Sequence, residues 1–261
     1  MSLKIVTWNI NSIKVRLGHL LEFIDEHNPD IICLQELKCE TSKFPTDEFS
    51  HLPYNLYVHG QKTYNGVAIL SKIPADEVNT NFPNNPLPDH ARFIEVAFPT
   101  SIGYIRVISL YVPNGGEVNS DKFATKLKFY DAFTDYIESL KSFEEKLFIG
   151  SDYNIAPFDI DVYNPKKLEN TTCFTYEERE KLRIILNSGF VDNFRILHPD
   201  KHEFSWWDYR SGAFEQNMGM RIDSIISTSN AVANLVDCKI DFQTRTKTKP
   251  SDHAPVIAVY D

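Results

Sequence analysis

Six short polar motifs punctuate this chain, each at the end of an apolar run: Trp8-Asn9-Ile10-Asn11, Leu34-Gln35-Glu36, Tyr111-Val112-Pro113-Asn114, Gly150-Ser151-Asp152-Tyr153-Asn154, Arg221-Ile222-Asp223 and Ser251-Asp252-His253-Ala254-Pro255. Carboxylates, amides and an imidazole are the groups that phosphodiester hydrolysis calls for. The reaction needs neutralised phosphoryl oxygens, an activated water and help for the departing oxygen. Magnesium suits such a centre because it takes oxygen ligands, keeps bound waters and bridges to phosphate. Strand ends hold side chains rigidly at one rim of a sheet, while the loops beyond them are free to vary.

Taken singly, each residue has a plainer alternative. Glu36 leaves the apolar run Ile31-Ile32-Cys33-Leu34 and is a natural cation ligand, although a surface glutamate at a strand end would look the same. Gln35 beside it, and Asn9 at the matching point of the neighbouring run, favour the ligand. Asp152 and Asn154 are one residue apart and point the same way from an extended segment. The carboxylate can then activate water while the amide donates to phosphate, yet such residues also form turns. Asp252-His253 is a stronger pair, because Pro255 and the strand after it fix its direction. Histidine beside a carboxylate serves as acid, base or phosphate contact, or is hydrogen-bonded for structure alone. Asp223 lies among Ile222, Ile225 and Ile226, where an unpaired carboxylate would be costly. His253 is its expected partner, held as the imidazolium. Tyr111 donates to phosphate or belongs to the core.

The elements that must position these groups are legible. Leu17, Leu20, Leu21 and Ile24 share one face of a helix over Arg16–His27 that Pro29 stops. Strands are expected at Lys4–Trp8 and Asp30–Leu34 on either side of it. Val67–Leu70 follows the Asn65-Gly66 turn signal as part of an antiparallel hairpin. Phe93–Phe98, Arg106–Tyr111, Lys146–Gly150, Phe204–Tyr209, Arg221–Ser227, Lys239–Phe242 and Val256–Tyr260 read as further strands. A long helix is expected over Asp121–Lys141. Thr175 and Glu178 form a capping box for another helix, which Gly189 closes. Hairpins mixed with helices imply sheets packed face to face with helices outside. The expected architecture is a single α/β domain over residues 1–261.

Composition is that of an ordinary globule, 42% hydrophobic and 24% charged over 261 residues, with enough apolar material for one large core. No stretch approaches the ~18 apolar residues of a membrane span, and the start runs straight into a strand without a signal region, so a cytoplasmic protein is expected. Cys33, Cys39, Cys173 and Cys238 lack zinc-like spacing and read as reduced thiols. The net charge of −9 is unusual for a nucleic-acid binder, but a centre that gathers carboxylates around a cation is itself acidic. The basic stretches Arg245/Lys247/Lys249 and Lys122/Lys126/Lys128 are read as solvated charge rather than phosphate contacts.

The motifs in this order resemble the exonuclease III family of apurinic/apyrimidinic endonucleases, in the DNase I-like endonuclease/exonuclease/phosphatase superfamily. The resemblance spans the chain from Trp8-Asn9-Ile10-Asn11 to Ser251-Asp252-His253-Ala254-Pro255. It includes Leu34-Gln35-Glu36-Leu37-Lys38, Tyr57-Val58-His59-Gly60-Gln61-Lys62, Asp152-Tyr153-Asn154-Ile155-Ala156-Pro157, Phe204-Ser205-Trp206-Trp207-Asp208-Tyr209-Arg210 and Gly219-Met220-Arg221-Ile222-Asp223. It implies a four-layer α/β sandwich, two packed mixed sheets flanked by helices. It implies magnesium, replaceable by manganese, held at Glu36 with Asn9, Asp152, Asn154 and Asp252 around it. Asp152 would be general base or proton donor, Asn154 and Tyr111 would stabilise the pentacovalent phosphate, and His253 oriented by Asp223 would bind the scissile phosphate. Asn9, Asn11, Arg92, Trp206 and Arg210 would meet the substrate, Trp206 packing on the sugar of a base-less site.

The implied activity is hydrolysis of duplex DNA 5′ to abasic sites, or removal of nucleotides and blocking groups from 3′ ends, by a monomer. Water attack on phosphorus leaves a 3′-hydroxyl. One departure is visible: the family usually has glycine before the Asp-x-Asn aspartate, and this chain has Ser151. A superfamily phosphatase or phosphodiesterase acting on RNA, lipid or inositol phosphates would lack the Phe204–Arg210 stretch. An inactive nucleic-acid-binding module would have lost some of the polar groups, and none has been replaced by an inert residue.

Overall fold

Val6, Trp8, Ile32 and Leu34 bury one face of their strands, and Ile5, Ile31 and Cys33 bury the other. A strand that is apolar on both sides needs a cover on each, and that requirement builds the molecule in layers. In the computed structural model, which describes residues 2–100 and 103–261, the chain opens with β1 (Leu3–Asn9), α1 (Ile13–His27), β2 (Ile31–Gln35), β3 (Asn55–His59) and β4 (Val67–Ser71). Next come β5 (Glu77–Asn79), β6 (Phe93–Thr100), β7 (Gly103–Tyr111), α2 (Asp121–Leu140) and β8 (Lys146–Asp152). The second half adds α3 (Pro165–Leu168), α4 (Tyr176–Asn187), β9 (Phe190–Asp192), α5 (Asn193–Leu197), β10 (Trp206–Trp207) and β11 (Gly219–Met220). It ends with β12 (Asp223–Thr228), α6 (Ser229–Val232), β13 (Leu235–Ile240) and β14 (Val256–Tyr260).

One sheet has the order β13-β14-β1-β2-β4-β3 and the other β5-β6-β7-β8-β12-β9. The pairs β1–β2 and β7–β8 are parallel and their other neighbours antiparallel, so both sheets are mixed. Their inner faces meet through Ile5, Ile31, Ile69, Val96, Val107 and Ile225. Leu20, Phe23 and Ile24 of α1 cover the outer face of the first sheet. Phe129, Phe133 and Ile137 of α2, with Leu182 and Ile185 of α4, cover the second. This is the four-layer sandwich that the resemblance implied.

Local chemistry sets the element ends. Ser120 accepts from the Phe123 amide at the start of α2, and Thr175 and Glu178 form the expected reciprocal cap on α4. Asn28, left-handed at φ 46, closes α1 ahead of Pro29. That helix starts at Ile13 rather than Arg16. Arg16 itself leaves helical geometry, and its guanidinium reaches the carbonyls of Asn11, Lys249 and Pro250.

Three expectations need correction. The stretch Phe204–Tyr209 contracts to β10, which pairs only with β11 in a two-stranded ribbon. Its remaining polar backbone is turned to the loop before β14 instead, where the Trp207 amide donates to the Asp252 carbonyl and Trp206 bridges His253. The strand expected at Lys239–Phe242 lies at Leu235–Ile240, and Phe242 opens a 3-10 turn. Lys126 and Arg245 are buried rather than solvated: Lys126 pairs with Glu178, while Arg245 donates to the Ser251 carbonyl and packs over Phe214.

Gly150 marks a close approach of the two sheets. A Cβ there would stand 2.9 Å from the Cβ atoms of both Thr7 and Cys33. Overpacking a dense core typically costs about 1–3 kcal/mol. Gly150→Ala should therefore lower the midpoint of thermal unfolding by several degrees, and an unchanged midpoint would mean that the sheets separate freely.

Candidate active site

Because β1 and β2 run parallel, as do β7 and β8, two strand ends from each sheet reach the same rim. Asn9 closes β1 there, and its Nδ2 donates to Glu36 Oε1 at 3.0 Å and to Asp152 Oδ2 at 2.9 Å. One amide thus ties the carboxylate beyond β2 to the carboxylate ending β8. Below it, Gln35 Nε2 crosses between the sheets to Ser109 Oγ at 3.0 Å. Asp152 faces Tyr111 across the parallel pair β7–β8 and Asp223 across the antiparallel pair β8–β12. Register therefore delivers three of the expected groups to one place.

Glu36 adopts φ 52 just past its strand, and Asn11 and Asn154 are likewise left-handed at φ 46 and 49. Such backbone is costly for residues with a side chain and gathers at functional sites. Burial works against the Glu36 carboxylate, but the Asn9 amide and the Lys38 ammonium, 2.9 Å from Oε2, hold its pKa below the usual value. Tyr111 donates to Glu36 Oε1 at 2.7 Å, and burial beside two carboxylates keeps its phenol protonated.

Asp152 is buried. It accepts from the Asn154 backbone amide at 2.9 Å and from the Asn154 side chain at 3.2 Å. Burial pushes its pKa up, and the opposing pull of His253 does not offset this fully. Burial alone would push His253 down, but the carboxylates of Asp223, Asp152 and Asp252 outweigh it and raise its pKa. The ring is therefore an imidazolium at neutral pH. Its Nδ1 lies 2.8 Å from Asp223 Oδ2, and Nε2 points toward Asp152 Oδ2 at 3.8 Å. Ser205 Oγ donates to Asp223 at 2.7 Å. Asp252 accepts from Asn11 at 2.8 Å and from the Trp206 indole at 3.1 Å.

Glu36, Tyr111, Asp152, Asn154, Trp206, Asp252 and His253 line one cleft of roughly 410 Å³, with Arg210 at its edge. Arg210 is exposed and folded back on Asp208. The other expected groups stand outside this cleft. Asn9 lies beneath it with both ends of its amide engaged, and Asp223 stands behind His253. Arg92 lines the adjoining groove, stacked 4.7 Å from the centre of the Tyr111 ring. Sequence reasoning missed Ser205, the brace on Asp223. It also left unassigned Met220 and Ile222, the apolar wall beside Trp206.

Among the described residues, ligand atoms of Glu36, Asp152 and His253 lie within 4.8 Å of one another. Two carboxylates, one raised in pKa by burial and one already drawn to a lysine, are a donor set suited to a hard divalent cation. The charged imidazole suits an anion instead.

Comparison with known proteins places the whole chain in one family. A profile of the Endonuclease/Exonuclease/phosphatase family matches residues 6–253. The chain belongs to that family. Exodeoxyribonuclease III of Haemophilus influenzae is 35% identical, over 99% of this chain and 100% of its own. Among solved structures, the 3′-5′ exonuclease NExo of Neisseria meningitidis superposes with a TM-score of 0.94 at 37% identity, covering 99% of this chain and 100% of that one. An AP endonuclease of Archaeoglobus fulgidus gives 0.93 at 36% identity, with 99% of both chains covered. Where the family usually has glycine, Ser151 lies inside β8 rather than in a turn. Its buried hydroxyl donates to the Leu110 carbonyl at 2.9 Å, so the strand accommodates the larger residue.

Proposed function

We propose that this protein is a metal-dependent DNA repair nuclease of the exonuclease III type, which hydrolyses the phosphodiester 5′ to abasic sites and trims 3′ ends of duplex DNA. The observation that carries this reading is the convergence of Glu36, Asp152 and His253 on one cleft floor, with Trp206 as an aromatic wall. Glu36 and Asp152 would hold magnesium, or manganese in its place, with Asp252 and the Asn9 and Asn154 amides ordering the surroundings. Bound there, the cation would supply positive charge against the phosphoryl oxygens.

Asp152 accepts the proton of the attacking water, held in place by Asn9 and Asn154. The His253 imidazolium, fixed by Asp223, donates to a non-bridging phosphate oxygen, and Tyr111 offers a neutral hydroxyl to the same group. Trp206, Met220 and Ile222 form a pocket that accepts a bare sugar, while a sugar carrying its base must first leave the stack. Arg92, Arg210 and Asn11 flank the cleft where the strand passes. The product is a 3′-hydroxyl. No helix among the described residues is long and apolar enough to cross a membrane. Four buried, unpaired cysteines support a reducing, cytoplasmic setting, and the continuous inter-sheet core supports one domain.

A gel assay with abasic, recessed 3′-end and undamaged duplexes, with magnesium or with chelator, tests the reading. Cutting of the first two in magnesium alone supports it. Indiscriminate cutting of undamaged duplex, or hydrolysis of inositol phosphates without DNA cleavage, rules it out.

A further inference from the structure

Lys126 is a fully buried cation that the reaction above leaves unused. It projects from α2, and its Nζ pairs with Glu178 of α4, an equally buried carboxylate. Taking both charges out of water is costly, and the α2–α4 contact already has an apolar seam in Phe129, Phe133, Leu182 and Ile185. What an ammonium adds is three donors. Lys126 uses one on Glu178, one on the Asn154 carbonyl at 2.7 Å and one on the Asn114 carbonyl at 3.1 Å.

Those carbonyls belong to the loops that leave β8 and β7 at the cleft. Asn154 gives Asp152 two hydrogen bonds from a left-handed backbone, and Asn114 Nδ2 donates to Asn154 Oδ1 at 3.1 Å. The next residue, Gly115, lies at φ 90 against the lysine stem, where a Cβ would come within 2.9 Å of Lys126 Cδ. Glu178 also accepts from the amides of Cys173 and Thr175, which anchors a third loop lining the cleft.

We propose that Lys126, braced by Glu178, is a positioning residue for hydrolysis: it locks the Asn114 and Asn154 loops so that Asn154 holds Asp152 in its reactive orientation. This rests on the nuclease reading above. In Lys126→Met, Glu178 keeps its donors from Cys173 and Thr175 but becomes an unpaired buried charge, so the unfolding midpoint should fall and the activities are compared well below it.

Well below the unfolding temperature, kcat on abasic duplex should fall at least ~10-fold while KM stays within about threefold, the pattern of a lost transition-state contribution. In an Asn154→Ala background, which keeps the backbone amide on Asp152 and loses the side-chain donor, the same substitution should lower kcat by a smaller factor than in the parent, because the lysine acts through residue 154. If Lys126→Met does not fold, Lys126→Met/Glu178→Gln carries the same measurements. A lowered unfolding midpoint with unchanged kcat overturns the proposal, as do full multiplicative losses in both backgrounds. A parent protein that cuts no DNA overturns the nuclease reading and this role together. A fully active parent beside an unimpaired variant overturns this role alone.

Discussion

Asp152→Ala is expected to lower turnover on abasic duplex at least ~100-fold, the lower end for loss of a positioned acid–base group, while leaving DNA affinity nearly intact. The carboxylate sits at the centre of the polar rim: Asn9 and Asn154 aim three hydrogen bonds at it, and His253 faces it. Glu36 could not replace it, since its carboxylate is engaged by Asn9, Tyr111 and Lys38. Stability should not follow activity. Burial raises the folded-state pKa of Asp152 above its ordinary value of 3.8. A carboxyl so raised opposes folding once ionised. That opposition is absent below the ordinary value and complete above the raised one. In chelator near neutral or mildly alkaline pH, removing the carboxylate should therefore leave the unfolding midpoint unchanged or higher. A variant that binds abasic duplex and still cuts at a tenth of the parental rate would refute the assignment of the base.

His253→Ala should lower turnover by about 10²–10³, the usual loss when a preorganised donor to a developing negative charge is removed. The ring is 4% exposed, so its charge acts from a largely desolvated position. Its charge depends on Asp223, whose carboxylate is within 2.8 Å of Nδ1 and is braced by Ser205. Asp223→Asn should reproduce most of the loss while leaving the imidazole present, because the amide orients the ring but no longer favours its charged form. The two substitutions combined should cost little more than His253→Ala alone. Independent losses in the double variant would show that Asp223 acts on something other than His253.

Much of this was readable in advance, and the reason is local. The apolar runs of β1, β2, β4 and β8 are buried on both faces, so their sequences are nearly pure in type, and the polar residue that ends each run is conspicuous. The cap on α4 was legible because Thr175 and Glu178 interact with each other across a single turn. The short edge strand β5 was not legible, since its residues are exposed and carry no apolar alternation. The ribbon at Trp206 was misread as a full strand because it pairs with the two-residue β11 and the distant Asp252–His253 loop rather than with either main sheet.

Charge showed the sharpest limit of local reading. Lys122, Lys126 and Lys128 look alike as a basic cluster, yet Lys126 alone faces inward to Glu178, 52 positions later. Residue types and their periods were enough to specify a layered α/β sandwich and to single out Glu36, Asp152, Asp223 and His253. Strand register and the parallel pairing of β1 with β2 and β7 with β8 then set which of them meet: Asn9 beneath two carboxylates, Arg92 in the neighbouring groove, Ser205 behind Asp223. Hydrogen bonds between residues 143 positions apart, such as Asn9 to Asp152, leave no trace in either local stretch. They exist only once the two sheets have packed.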